Sequence, residues 1–346
     1  MFRFIGFAFL LILVGRMAAA NEPLRGLSDS LRKSIEDELA MKTLGGRQFW
    51  GDVQFFQGWR IQRNVFTGHH RLLDPEDIRH AWGTLEKCQL ALAEIRVQKK
   101  LPPMKGHAVI LIHGILRSSK CMTTVASAVE KAGFCPVPFD YPSTQFSIPE
   151  SAEYLDRVIQ SLVGIEAISI VAHSMGGLVT RAYFAEHGDP RIRRVVMLGT
   201  PNHGAELADL LYQNYLLRIA SGPGGRQLVT DREGLIPSLP SPKCEFAVIA
   251  GARGNPGGWN PFIPGDDDGT VTVESTRLIG AADFAIVTTL HTAMVRNREV
   301  IDRTIRFLNE GRLDSKRPCR PIESVKADAI SNPATPNTTS PNTTSP

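Results

Sequence analysis

The stretch "AISIVAHSMGGLV" (167–179) sets a serine between a run of apolar, largely β-branched residues and a glycine pair that opens a second apolar run. The first run reads as a buried strand, and the glycines just beyond it as a turn into a helix. Ser174 then stands where strand hands over to helix. Small residues two places before and after it, Ala172 and Gly176, let the two elements approach, and Gly177 adds room. Such a strained strand-turn-helix lifts a hydroxyl clear of the backbone, as a serine nucleophile requires. Glycine is the common residue at the first small position, so Ala172 departs from the pattern by one methyl. A serine in an ordinary turn has the same local appearance, and its partners must decide.

The surroundings supply a fold. From His107 to about Asn309, short β-branched runs alternate with longer helix-like segments. Strands are predicted at 107–112, 135–139, 167–172, 193–198, 245–250 and 284–288, and helices at about 118–132, 150–163, 175–187 and 294–309. Continuous apolar strands between amphipathic helices predict an α/β domain over 106–310, with a mostly parallel sheet covered on both faces. Ligands bind such sheets at the carboxyl ends of the strands, where Ser174 lies.

A serine hydroxyl needs a general base, the base an orienting carboxylate, and the oxyanion formed on attack needs backbone donors. In chain order these are Ser, then Asp or Glu, then His. Of nine histidines only His291, in "TTLHTAM" after the last strand, follows any acid placed beyond the fifth strand. The loop after that strand carries "PGDDDGTVTVEST", from which Asp268, before Gly269, is the expected acid. Asp267 is its nearest rival, with Asp266 and Asp283 behind. The acidic run also suits a calcium loop, but an EF-hand fails because the twelfth position from Asp266 is Arg277, not Glu. The oxyanion donors are expected to be the N–H of Met175, at a helix start, and that of Ile115 in "LIHGILRSS", with Leu116 as the alternative.

These motifs together resemble the α/β-hydrolases, and among them the bacterial lipases and esterases. "LIHGI", "AHSMGG", "GTPNHG", "DGTV" and "LHTAM" appear in that group's order and spacing, including the 23 residues from Asp268 to His291. The alanine form of the elbow, A-H-S-M-G, occurs in some of those lipases. The resemblance covers about 107–309. It implies that His173 and His113 are structural and that a cap is inserted between the fourth and fifth strands, here over 205–240. Such a cap would cover the acyl pocket and give transient contact with a lipid surface. His203 is expected to shape a loop.

The remaining segments have their own character. Residues 1–20, with Arg3, an apolar run from Phe4 to Val14 and small residues at Ala18 and Ala20, form the pattern of a cleavable signal peptide cut after Ala20. Eleven apolar residues fall short of the roughly 20 a spanning helix needs. Secretion or periplasmic residence follows as the expectation. Residues 21–105 lie outside the resemblance. They predict a hairpin around Gln57–Gly58 and a helix from Asp74–Pro75 to about Lys100. Trp50, Trp59 and Trp82 are expected to pack, and His69, His70 and His80 match no common metal spacing. The tail 311–346 ends, from about 331, in repeated Thr, Pro, Asn and Ser, with sequons at Asn337 and Asn342, and predicts disorder.

A net charge of +4 over 346 residues, with two of its cations in the leader, gives no footprint for nucleic acid. The five cysteines are too few for a disulfide scaffold. Cys121 and Cys135 bracket one helix, and burial as small apolar residues is expected for most of the five. The chain therefore reads as an exported serine hydrolase of carboxylic esters or lipids, working through Ser174, His291 and Asp268 with no metal or organic cofactor. Acyl transfer would use the same residues with an alcohol in place of water. A non-catalytic binding protein on the same fold is the reading from another class.

Overall fold

The computed structural model describes residues 47–205, 222–228 and 234–323. The leader, the tail from 324 and most of the expected cap lie outside the described residues. Among the described residues two sheets form. The larger contains β5 (Gly106–Ile112), β6 (Cys135–Phe139), β7 (Ile165–His173), β8 (Ile192–Leu198), β9 (Glu245–Ala252) and β10 (Asp283–Thr288), in the order β10-β9-β8-β7-β5-β6. Every neighbouring pair in it is parallel.

The period of two along these strands divides the core into two layers. Ile110, Ile112, Ile168, Ile170, Met197 and Val248 face one layer. Val109, Leu111, Val171, Val196, Leu198 and Ile249 face the other. Each side needs a cover, because a strand apolar on both faces leaves neither for water. Helices α3 (Ile148–Ser161) and α4 (Met175–Glu186) cover the first, and α2 (Thr123–Lys131) and α5 (Arg298–Glu310) the second. The alternation read from sequence over 107–309 is thus realised as a parallel sheet between helical layers.

The smaller sheet is an antiparallel meander of β1 (Trp50–Phe56), β2 (Trp59–Asn64), β3 (His70–Leu73) and β4 (Arg79–Gly83). The first turn is made by Gln57 and Gly58, both at positive φ, as a two-residue hairpin demands. The helix expected from Asp74–Pro75 begins ten residues later, as α1 (Leu85–Gln98), with the Thr84 hydroxyl capping it by accepting from Lys87 N–H. Asp74 instead folds a turn: its Oδ1 accepts from the N–H groups of Glu76 and Ile78, and Asp77 takes φ 66°. Aspartate before proline suits a turn as well as a helix start, and pairing of β4 with β3 decides between them.

The meander lies on α3. A Cβ built on Gly51 would come within 2.6 Å of the Tyr154 ring, and Ser161 Oγ accepts from Phe55 N–H at 3.0 Å. Phe55, Phe56, Trp59 and Ile61 join the same buried layer as Ile110 and Ile170. Trp50 and Trp82 are less enclosed: the Arg71 guanidinium covers the first, and His69 stacks on the second. All five cysteines are free, and only Cys88 is fully buried.

Candidate active site

The apolar run of β7 ends at His173 and α4 begins at Met175, so Ser174 carries the whole change of direction, at φ 56° and ψ −128°. Positive φ in a residue with a Cβ costs energy and persists only where the surroundings impose it. Here the Ser174 N–H donates to Leu198 O at 2.9 Å, tying the turn to the neighbouring strand. Close approach explains the small residues: a Cβ on Gly176 would meet the carbonyl oxygens of Ile112 and His113 at 2.8 Å. Ala172 is fully buried, and its methyl is accommodated in the first core layer.

The structure brings Ser174, His291 and Asp268 into one hydrogen-bonded chain. His291 Nε2 lies 2.9 Å from Ser174 Oγ, and His291 Nδ1 lies 2.7 Å from Asp268 Oδ2. A carboxylate only accepts, so the proton belongs on Nδ1 and Nε2 is left bare toward the serine hydroxyl. Asp268 is held by its own loop: Oδ1 accepts from Thr270 N–H at 3.0 Å and Val271 N–H at 2.9 Å. The His291 N–H also donates to Asp268 O at 2.8 Å, so the two residues are joined through both backbone and side chain. Asp268 is 1% exposed, while Ser174 and His291 each keep 7%.

The rival acids have other tasks. Asp267 accepts from the N–H groups of Trp259, Asn260 and Gly269, and Asp266 from those of Arg253 and Gly254. Asp283 accepts from Phe284, Leu313 and Arg320 N–H at the start of β10, the far end of that strand from His291.

Gly199, just after β8 and first in the "GTPNHG" motif, lines the Asp–His pair. It takes φ 55°, and a Cβ there would lie 3.2 Å from both Asp268 Oδ2 and His291 Nδ1 and 2.8 Å from Met294 Sδ. Its position directly after a buried strand is the signal that would have found it.

The two expected oxyanion donors flank the serine. Met175 is the first residue of α4, where an N–H has no acceptor within the helix. The turn after β5 presses on the nucleophile: a Cβ on Gly114 would be 2.9 Å from Ser174 Cβ and 3.4 Å from Oγ. In that turn the alternative donor, Leu116 N–H, is already given to Ser143 Oγ at 3.0 Å. Ile115 N–H donates to no acceptor among the described residues.

Both neighbouring histidines are buried and engaged. Burial, helped by His291, pushes His173 down to about 3, and its Nε2 donates to His291 O at 3.0 Å. Burial likewise lowers His113, whose Nδ1 donates to Gly114 O at 2.8 Å. Each thus ties a backbone carbonyl of a site loop through one ring nitrogen. His203 is exposed, and its N–H donates to Ser275 O. In the meander, His80 Nε2 pairs with Asp74 Oδ2 at 2.8 Å, distant in sequence and in role from this site.

A family model described as alpha/beta hydrolase fold matches residues 107–223, the stretch from β5 through the serine turn and beyond β8. No curated protein matches the chain. Among solved structures, the Bacillus licheniformis lipase BlEst2 in mature form is similar at 22% identity and TM-score 0.44, covering 60% of this chain and 90% of that one. Phospholipase PlaB from Legionella pneumophila aligns at 14% identity and TM-score 0.45, over 58% of this chain and 57% of that one. A thermophilic esterase from Thermogutta terrifontis aligns at 14% identity and TM-score 0.41, over 60% and 90%.

Proposed function

On the premise that residues 106–310 carry an α/β-hydrolase fold, we propose that this chain is an exported serine hydrolase of carboxylic esters, with Ser174 as nucleophile. The observation that carries the reading is the chain Asp268–His291–Ser174, seated on a strained strand-to-helix turn. Ser174 Oγ attacks the ester carbonyl carbon while His291 Nε2 takes the hydroxyl proton, and the imidazolium is held by Asp268 Oδ2. The carbonyl oxygen, now negative, is held by the Ile115 and Met175 N–H groups. As the tetrahedral adduct collapses, the C–O bond to the alcohol breaks and His291 returns the proton to the departing oxygen. Water then repeats the sequence on the acyl-enzyme, freeing the acid and restoring Ser174.

Apolar acyl groups suit the surroundings of these atoms. Leu116 follows Ile115 and is 62% exposed, and Leu290 precedes His291 and is 46% exposed. Export rests on the leader pattern of residues 1–20, and the N-terminus of the exported chain is expected at Asn21.

The test is hydrolysis of nitrophenyl esters of short, medium and long acyl chains by wild type and Ser174→Ala. The substitution should lower kcat by at least about 10³-fold on every ester that wild type cleaves. A folded Ser174→Ala variant that keeps wild-type turnover would remove the reading.

A further inference from the structure

The turn that offers Ile115 N–H is pinned at several of its other backbone groups. His113 O accepts from Tyr141 OH at 2.7 Å, and Gly114 O from His113 Nδ1 at 2.8 Å. Leu116 N–H donates to Ser143 Oγ at 3.0 Å, Arg117 O accepts from Gln48 Nε2 at 3.0 Å, and Ser119 N–H donates to Asp140 Oδ1 at 2.7 Å. Leu116, at the centre, takes φ 58°, a conformation a leucine leaves unless it is held.

Much of this restraint comes from the N-terminal meander and the short turn leading into it, which lie outside residues 107–223. Gln48 sits in the 3-10 turn Arg47–Phe49 that leads into β1. Its amide nitrogen takes Arg117 O, while its Oε1 accepts from Ser143 Oγ at 3.0 Å and from Thr144 N–H and Oγ1 at 3.1 Å. Ser143 Oγ, so oriented, turns a lone pair to Leu116 N–H. One side chain thus holds the turn directly at residue 117 and through Ser143 at residue 116. A second attachment runs parallel to it. Asp52 on β1 accepts from Asp140 N–H at 2.7 Å and donates its own N–H to Asp140 O at 2.8 Å. Arg60 on β2 donates to Asp140 Oδ2 at 3.2 Å, and the Asp140 carboxylate in turn takes both Ser119 N–H and Ser119 Oγ–H.

We infer that Gln48 is a positioning residue for the oxyanion donor Ile115, and that the N-terminal meander serves to hold the 113–119 turn in its strained, donating shape. The inference rests on the hydrolase reading above. Without Gln48, Ser143 is free to rotate and Leu116 to relax toward negative φ, and Ile115 N–H swings away from the developing charge. Binding of the uncharged ester is unaffected, because the donor matters where negative charge appears.

The experiment compares Gln48→Leu and Ser143→Ala with wild type on one nitrophenyl ester, together with affinity for a trifluoromethyl ketone of matching chain, which forms a tetrahedral oxyanion on the serine. Removing an oxyanion donor outright costs about 10²–10³ in kcat, so loosening one should cost roughly 10- to 100-fold. Each variant is expected to lose kcat by that factor with KM within about twofold, and to lose ketone affinity by the same factor as kcat/KM. The double variant should fall little below the worse single one, since both break one relay. Wild-type kcat in Gln48→Leu, or a fall in kcat with unchanged ketone affinity, overturns the inference. Should Gln48→Leu fail to fold, Ser143→Ala, which leaves the meander intact, decides alone. Activity retained by Ser174→Ala would instead sink the hydrolase reading, so the two failures are separable.

Discussion

Ser174, His291 and Asp268 are three residues from three loops, and each was reachable from sequence by a different route. Ser174 was legible because its evidence is local: a buried strand, a serine and glycines within a few positions. His291 was legible through chain order, since only one histidine stands beyond β9. Asp268 was one of three successive aspartates, and only the fold separates them, by turning Asp267 and Asp266 toward loop N–H groups and Asp268 toward the imidazole. Gly199 shows what residue type alone conceals. Its missing side chain leaves the space in which Asp268 and His291 meet. Gly199→Ala should therefore lower kcat by roughly 10- to 100-fold and destabilise the fold by about 1–3 kcal/mol, combining positive-φ strain with crowding of Met294. Steady-state kinetics and denaturant unfolding check this, and unchanged values in both would show that the site yields more easily than the spacing indicates.

The elements that carry these residues were legible where burial on both faces makes a strand continuous in apolar residues. Both ends of all six strands of the parallel sheet fall within two residues of the expected spans. The error over 74–84 has a physical source: Asp-Pro followed by acidic residues imitates a helix start, while the pairing partner that makes Arg79–Gly83 a strand lies across a turn that no local pattern reveals. Helix α4 has a second task beyond presenting the serine. Arg181 is 3% exposed and donates to the carbonyl oxygens of Asn202, Ile236, Leu239 and Pro240. Burial lowers its pKa to about 10, which still leaves the guanidinium charged near neutral pH. It ties the loop after β8 to the chain returning toward β9. Arg181→Met strips several buried carbonyls of their donor and should cost about 3–5 kcal/mol. Limited proteolysis should then open the 234–240 segment first; a variant cut no faster than wild type there would place the latch elsewhere.

Across the whole molecule, the meander and the parallel sheet share one buried layer, and the join between them is charged. Asp52, Arg60, Asp77 and Asp140 meet there, with Lys120 reaching Asp77 from the main domain. None of this was legible in sequence, because the partners stand 17 to 88 residues apart and no motif marks them. Burial, then the neighbouring Asp140 carboxylate, pushes Asp52 up from 3.8 to about 7, against the pull of Arg60 and its hydrogen-bond donors. An acid that holds its proton more tightly when folded contributes most below its unfolded value, and that contribution is lost as pH rises through the folded one. The Asp52 part of the stability should thus decline between about pH 4 and pH 7. Thermal unfolding of wild type and Asp52→Asn across that range reads it: the variant should show the flatter dependence, and parallel curves would rule out Asp52 as its source.

The central claim is that Ser174 is the atom-bearing residue of covalent catalysis, and site-resolved labelling tests it most directly. The folded chain is treated with a fluorophosphonate, digested, and the modified peptide sequenced by mass spectrometry. A single adduct on Ser174, formed in wild type and reduced sharply in His291→Ala, is the predicted result. An adduct on another residue, or none in a chain that is folded, would contradict it.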